Sequence, residues 1–350
     1  MKSNRVAVAM SGGVDSTLAA ALLLEAGYEL GAFTLRLFEE EEVAAAEAAA
    51  CLGIPHRVID ARPEFERQVI ADFCREYEQG RTPNPCVVCN AAIKFGRLLT
   101  AVRAEGWPVL ATGHYARVEY DPERRRWCLL RGVDRRKDQS YFLYRLGQEQ
   151  LAAACFPLGA MSKEQVREMA EERSLPVARR PESQEICFLG GEDYRQFLAR
   201  RRCAPPVPGP FLDSRGRVLG CHRGLPYYTV GQRRGLGIAV GRPLYVLALD
   251  PERNAVVLGE AEELLAPGLI AGDNRFILLE QLQTAIAVEV RIRSTAAPVA
   301  AQLNPRPGGE VAVSFEQPQR AVAPGQAVVY YQGERVLGGG TILRTWPGGD

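Results

Sequence analysis

The chain has 350 residues, 47% of them hydrophobic, with 43 basic and 42 acidic side chains and a net charge of +1. This composition excludes a small disulfide scaffold, a disordered tail and a collagen-like fibre, because it carries enough apolar surface for real cores. At roughly 100 to 200 residues per domain, the length predicts two or three domains. From Arg5 to Thr112, short apolar runs alternate with helical segments. Val6–Met10, Leu30–Leu35, His56–Ile59 and Val109–Thr112 read as strands, and Ser16–Ala26, Val43–Leu52, Glu64–Gln79 and Ala91–Glu105 as helices. That alternation is the βαβα signature of a doubly wound parallel sheet, in which ligands bind beyond the carboxyl ends of the strands. Ser11–Ser16 and Gly113-His114 fall at that edge. The acidic run Glu39–Glu42 reads as a solvated helix start.

Further along, a hairpin is predicted over Ala116–Arg131 and helices over Glu149–Ala154, Lys163–Arg173 and Glu192–Arg201. The proline-rich breaker Cys203–Pro210 marks a domain boundary. Beyond it, Leu244–Leu249, Ala255–Leu258, Val288–Arg293, Glu310–Phe315 and Ala327–Tyr331 read as short strands of one or two small β-rich domains. No apolar run reaches the roughly 18 to 20 residues of a membrane span, and Met1–Arg5 leads directly into a strand without a signal peptide. No membrane association and a cytoplasmic, reducing setting are therefore expected. Nine cysteines, an odd count, then point to thiol or metal chemistry rather than structural disulfides. Cys51, Cys74, Cys128, Cys155, Cys203 and Cys221 read as core fillers or bystanders.

Three motifs carry chemistry. Ser11-Gly12-Gly13-Val14-Asp15-Ser16 lies between the first strand and the first helix, where paired glycines turn backbone N–H groups inward and the helix terminus favours an anion. It lacks the lysine of the Walker loop and the spaced glycines of dinucleotide folds, so it reads as a phosphate cradle of another type. Arg81-Thr82-Pro83-Asn84-Pro85-Cys86-Val87-Val88-Cys89-Asn90 places a Cys-x-x-Cys in a proline-stiffened loop before a helix. There the helix dipole is expected to stabilise the Cys89 thiolate as a nucleophile or metal ligand. Alone, such a pair is equally compatible with redox, zinc or accidental origin, and no second pair completes a four-cysteine zinc site. The third motif is Glu182-Ser183-Gln184-Glu185-Ile186-Cys187-Phe188, which by itself reads as a buried strand cysteine.

The glycine loop resembles the pyrophosphate loop of the ATP pyrophosphatases. Together with Gly80–Asn90, Ala111-Thr112-Gly113-His114-Tyr115, Lys137-Asp138-Gln139-Ser140-Tyr141-Phe142-Leu143, Ile186-Cys187-Phe188 and Tyr228–Gly237, it occurs in the order seen in the tRNA-specific 2-thiouridylases (the MnmA/TrmU family). The resemblance covers essentially the whole chain. It implies an α/β plus β architecture: an ATP-pyrophosphatase domain (1–200), a central β-rich tRNA-binding domain (201–268) and a C-terminal β-barrel (269–350). It also implies ATP-dependent exchange of oxygen for sulfur at C2 of the wobble uridine of tRNAs for Lys, Glu and Gln.

Residue roles follow from the same resemblance. Ala9, Met10, Ser11, Gly12, Gly13, Val14, Asp15 and Ser16, with Leu35 and Gly113, would bind ATP, Asp15 helping to place Mg2+. Asn84, Pro85 and Cys86 would meet the target base. His114, Lys137, Asp138, Gln139, Arg291, Ile292 and Gln326 resemble tRNA-contacting positions. In the family's persulfide scheme Cys187 carries sulfur received from a cysteine desulfurase or relay protein, and Cys89 is the nucleophile. The competing scheme uses Cys86, Cys89 and Cys187 as ligands of a [4Fe–4S] cluster. Two departures accompany the match: many relatives have Asp where this chain has Cys86, and the Phe38–Leu52 linker is shorter than usual. A different ATP pyrophosphatase and a non-catalytic ATP-binding scaffold for desulfurase and tRNA are the alternatives. The near-neutral total does not argue against RNA, because it sums a polarised chain. Residues 1–114 hold 11 basic and 15 acidic groups, 117–137 eight against four, and 195–242 ten arginines against Asp213 alone. Such basic stretches suit phosphate contacts.

Overall fold

The computed structural model describes residues 4–38, 42–177, 186–201, 203, 206–238 and 240–346. Glu39–Glu41 of the acidic run, Glu182–Glu185 of the third motif and Ala204-Pro205 of the breaker lie outside them. A five-stranded parallel sheet opens the fold: β1 (Arg5–Ala9), β2 (Glu29–Arg36), β3 (His56–Asp60), β4 (Val109–Ala111) and β7 (Ala154–Cys155), in the order β3-β2-β1-β4-β7. Both faces of the central strands are covered, so β1 and β4 are almost continuously apolar, whereas the edge strand β3 is polar at three of its five positions. In β1, Val6 and Val8 join the core under α1 (Val14–Glu25) and α2 (Glu42–Cys51), while Ala7 joins the core on the opposite face.

On that opposite face lie a helix over 62–78, α3, and the helix Pro85–Ala104, α4. The sequence pattern starts α4 six residues too late. Pro85 sits in the first turn, where the missing N–H costs nothing, so one of the two prolines read as loop stiffeners in fact opens the helix. With 20 residues and a mean hydropathy of 1.3, α4 also reaches the length and apolarity of a membrane span, contrary to the expectation of no such run. It is apolar because Val87, Ile93, Phe95, Leu98, Leu99 and Val102 are buried in two core clusters of the protein.

The predicted hairpin forms as β5 (Ala116–Asp121) and β6 (Arg126–Arg131), but it joins the C-terminal sheet through Leu130↔Arg335. After it come α5 (Gln148–Ala153), α6 (Lys163–Glu172) and α7 (Tyr194–Arg201). The central unit is a four-stranded sheet of β8 (Gly209–Asp213), β9 (Val218–His222), β10 (Tyr245–Asp250) and β11 (Ala255–Gly259). The last unit contains β12 (Leu265–Phe276), β13 (Ile286–Arg291), β14 (Val299–Pro305), β15 (Val311–Arg320), β16 (Ala327–Gln332) and β17 (Arg335–Trp346). Pairing of β12 with both β15 and β17 closes these six strands into a barrel. One core cluster runs from Phe33 and Phe95 through Tyr141 and Tyr144 to Val329 and Tyr330. The parallel sheet and the barrel therefore share apolar burial, and the loops between them are held from both sides.

Candidate active site

The loop after β1 depends on glycine at defined points. Gly12 has φ +72°, and a Cβ there would lie 2.7 Å from the backbone carbon of Ala44 in α2, so any side chain would push α2 off the loop. Gly13 has no such neighbour; it precedes α1, and its carbonyl accepts from Ser16 Oγ at 3.1 Å and Thr17 Oγ1 at 2.9 Å. The Ser11 amide donates to Ser16 Oγ at 3.2 Å, and the two serine hydroxyls are 3.2 Å apart. Ala9 ends β1 and is half-buried, while Met10 and Val14 are buried beneath the turn. Thr34 Oγ1 donates to the Met10 carbonyl at 2.8 Å. Gly113 forms the facing wall, where a Cβ would come within 2.8 Å of the Asp15 backbone. Leu35 packs at the junction of two core clusters at the end of β2.

Asp15 is the centre of a contact that the linear pattern does not contain. Its Oδ1 accepts from Lys163 Nζ at 2.7 Å and from the Tyr115 hydroxyl at 2.7 Å. Lys163 is only 5% exposed and lies 148 residues from Asp15. The first turn of α6 thus brings a lysine to a loop that has none of its own. The capping box that starts α6, with Ser162 Oγ accepting from the Gln165 amide, is visible in the sequence. Its proximity to the loop is a tertiary fact.

The thiols differ from expectation. Because α4 begins at Pro85, Cys86 occupies its first turn and is exposed, whereas Cys89 is its fifth residue and is buried. Cys89 is therefore out of reach of the terminal dipole, and burial pushes its thiol up rather than down, with Lys94 opposing and Cys86 reinforcing that rise. The pH dependence follows with its sign. Any step that uses the Cys89 thiolate gains rate as pH rises from about 7 to about 9, because the neutral thiol is the favoured resting form. A plateau already reached at about pH 7 in single-turnover assays would contradict this.

Cys187 opens an exposed turn, Cys187–Leu189, rather than a buried strand. Phe188 anchors the turn edge-to-face on Phe65 and Phe73, within the same apolar cluster as Cys89. All nine cysteines are free thiols. Among the described residues no three His, Cys, Asp or Glu side chains converge on one point, so Cys86, Cys89 and Cys187 do not form the donor set a [4Fe–4S] cluster requires.

The segment before Cys86 is clamped by the barrel. Gln326 Nε2 donates to the carbonyls of Thr82 (3.0 Å) and Pro83 (3.2 Å), while its Oε1 accepts from Asn84 Nδ2 at 3.2 Å. Asn84 Oδ1 accepts from the Ala327 amide at 2.6 Å, and Thr82 N donates to the Pro324 carbonyl at 2.8 Å. Asn84, and with it the turn of Pro85 and Cys86 that follows, is thus positioned from outside the parallel sheet.

Other residues predicted to contact tRNA are engaged within the protein. His114 is buried; Thr112 Oγ1 lies 2.6 Å from its Nδ1, and desolvation holds the imidazole well below its ordinary range, hence neutral. Gln139 Oε1 accepts from the Tyr115 amide at 2.9 Å, Ile292 is buried in the core, and Lys137 is half-exposed. Asp138 and Arg291 pair with each other at 3.0 Å, both almost fully buried, and Asp138 also accepts from the Gly132 and Ser140 amides at 3.0 Å each. This pair ties the segment after the hairpin to the barrel. Asp138→Ala leaves a buried guanidinium without its partner, so a loss of about 3–5 kcal/mol of stability is expected in chemical denaturation. A change below about 1 kcal/mol would show the pair to be dispensable.

Comparison with known proteins covers the chain end to end. Residues 4–191 match the model of a tRNA methyl transferase HUP domain, 195–260 a tRNA methyl transferase PRC-barrel domain and 267–342 an aminomethyltransferase beta-barrel domain. The tRNA-specific 2-thiouridylase MnmA of Moorella thermoacetica is 52% identical, the match covering 96% of this chain and 98% of that protein. Proteins of the same name from Carboxydothermus hydrogenoformans (49% identical, 97% of each chain) and Desulforudis audaxviator (52% identical, 96% of this chain and 98% of the other) match equally fully.

Proposed function

Because the chain belongs to the family of tRNA-specific 2-thiouridylases, we propose that it replaces O2 of a tRNA uridine by sulfur at the expense of ATP, acting at the wobble position of the tRNAs for Lys, Glu and Gln. The observation that carries this reading is that one chain holds a glycine loop with an Asp15–Lys163 pair and a two-thiol helix, α4, whose entry segment is clamped by the barrel. The C2 carbonyl of uridine is a weak electrophile with a poor leaving group. Attack of O2 on the α-phosphorus of ATP forms an O2–AMP bond and expels pyrophosphate, whose charge the loop amides, the serine hydroxyls and Lys163 are suited to receive. Asp15 is the loop's carboxylate. Mg2+, which keeps waters and takes one or two carboxylates plus substrate phosphates, suits that donor set, and when bound it would neutralise charge on the pyrophosphate.

Sulfur arrives on Cys187 as a persulfide from a desulfurase or relay protein, its exposed turn offering the access such a transfer needs. Cys89 thiolate attacks the Cys187 sulfur, forming a Cys89–Cys187 disulfide and expelling hydrosulfide, which adds to C2 and displaces AMP. A dithiol reductant then restores both thiols. In the direct variant the persulfide's outer sulfur attacks C2 first and Cys89 cleaves the resulting adduct, with the same products. The cluster scheme lacks a converging donor set, and no step is derived through it. The ten arginines of 195–242 suit phosphate contacts along the tRNA, which predicts salt-sensitive binding.

The test is complementation of a bacterium lacking its own 2-thiouridylase, read by mass spectrometry of tRNA nucleosides. Return of wobble 2-thiouridine is expected. Methylated uridine without 2-thiouridine, as the domain models' names would suggest, overturns the reading.

A further inference from the structure

Asp15 is held by one oxygen only. Both donors, Lys163 Nζ and the Tyr115 hydroxyl, reach Oδ1 at 2.7 Å, and Oδ2 accepts no hydrogen bond among the described residues. The donors come from the interior, Lys163 at 5% exposure and Tyr115 at 3%, whereas the Asp15 side chain keeps 34% of its surface open. The last torsion of an aspartate side chain is broad and two-fold, so a carboxylate without fixed donors exchanges its two oxygens. Two donors on the same oxygen remove that freedom. The second oxygen is then the one left for a ligand.

The two donors contribute differently. Lys163 ends in a compact ammonium on a flexible four-carbon stem, which supplies charge with little direction; its Nζ runs beside the Tyr115 ring, 5.6 Å from the centroid. Tyr115 supplies direction, because its hydroxyl sits at the end of a rigid ring on a clamped backbone. The ring shares an apolar cluster with Val14 of α1 and Val166 of α6. The clamp is a single residue, Gln139. The Tyr115 amide donates to Gln139 Oε1 at 2.9 Å, and the Gln139 amide donates back to the Tyr115 carbonyl at 2.9 Å. Gly132 closes over that carbonyl, where a Cβ would come within 2.7 Å of the oxygen.

We propose that Tyr115 is a positioning residue of the nucleotide site: clamped by Gln139, its hydroxyl fixes Oδ1 of Asp15 and leaves Oδ2 as the oxygen offered to Mg2+ on the triphosphate. The proposal rests on the reading of the glycine loop as the ATP site. Mg2+ demands near-ideal geometry from the one or two carboxylates that hold it beside phosphate oxygens. Its binding is therefore the step most sensitive to a carboxylate that turns. The same assignment gives Gln139 a use inside the chain, in place of the tRNA contact expected of it.

Tyr115→Phe removes the hydroxyl and retains the buried ring. ATP binding to the full-length enzyme is measured by calorimetry without tRNA, once with Mg2+ and once with EDTA in its place. Wild type is expected to bind ATP more tightly with Mg2+. In Tyr115→Phe the gain conferred by Mg2+ shrinks about tenfold, the scale of one hydrogen bond to a charged group, while affinity in EDTA is unchanged. Asp15→Asn loses the gain, and adding Tyr115→Phe to it changes nothing further. Gln139→Leu shifts the gain in the same direction as Tyr115→Phe, and Gln139→Glu, which retains the accepting oxygen, keeps most of it. Should Tyr115→Phe fail to fold, the two Gln139 variants carry the same comparison. A gain in Tyr115→Phe equal to that of wild type overturns the proposal alone. An equal loss of affinity with and without Mg2+ also overturns it, since that marks a general disturbance of the loop. A wild-type enzyme that binds ATP no better with Mg2+ than with EDTA removes the reading of the loop as a Mg2+–ATP site, and the proposal with it.

Discussion

Replacing Cys89 by Ser is expected to abolish 2-thiouridine formation, by at least about a thousandfold, while ATP is still cleaved to AMP and pyrophosphate in the presence of tRNA. The reasoning is geometric. Cys89 sits inside α4 in the same core cluster as Phe65, Phe73 and Phe188 and is not a residue of the glycine loop, so loss of one sulfur leaves the phosphate site intact. Cys187→Ser is expected to give the same separation, and in addition to lose persulfide labelling by a desulfurase. Cys86→Ala is expected to lose little, because the exposed Cys86 is neither carrier nor nucleophile in this scheme. Near-complete loss in Cys86→Ala would contradict the scheme and restore the three-thiolate alternative.

The second large effect is expected at the other end of the reaction. Lys163→Met should lower adenylation about a hundred- to a thousandfold, the scale for removing one preorganised donor from developing charge. Lys163 is buried against Asp15 at 2.7 Å, so its loss also leaves that carboxylate without its cation. Asp15→Asn should depress the same step. The double variant is expected to be little worse than either single one, since each removes the same unit. Persulfide formation on Cys187 should be unaffected in all three. A Lys163→Met enzyme that adenylates at the wild-type rate would mean that the pair only holds α6 against the sheet.

The parts legible in the sequence are those whose physics is local. The strands before Gly113 stand out because the inner ones, buried on both faces, are apolar at nearly every position, and β3 is found by its Val58-Ile59 pair. The glycine loop stands out because Gly12 must adopt a conformation that side chains resist. What escaped detection depends on distant partners. Lys163 looks like an ordinary helix start until α6 is laid beside Asp15. Residues 338–340, three glycines in a row, lie inside β17. A Cβ at Gly338 would sit 2.2 Å from the Arg275 carbonyl oxygen, and one at Gly339 2.7 Å from the Val328 carbonyl oxygen and the Tyr144 ring, so barrel closure itself demands glycine there. The start of α4 was obscured by Pro83 and Pro85, and the π-helical winding of Asn90–Leu98 within it has no signature in apolar periodicity.

The central claim is that ATP activates O2 of the target uridine so that sulfur can replace it. The most direct measurement is the fate of that oxygen. Purified enzyme, ATP, a cysteine desulfurase with cysteine, a dithiol and tRNA labelled with oxygen-18 at uridine O2 are combined, and AMP and tRNA nucleosides are analysed by mass spectrometry. The predicted result is oxygen-18 in AMP in an amount matching the 2-thiouridine formed. Label found in water or pyrophosphate, or 2-thiouridine formed without labelled AMP, would contradict it.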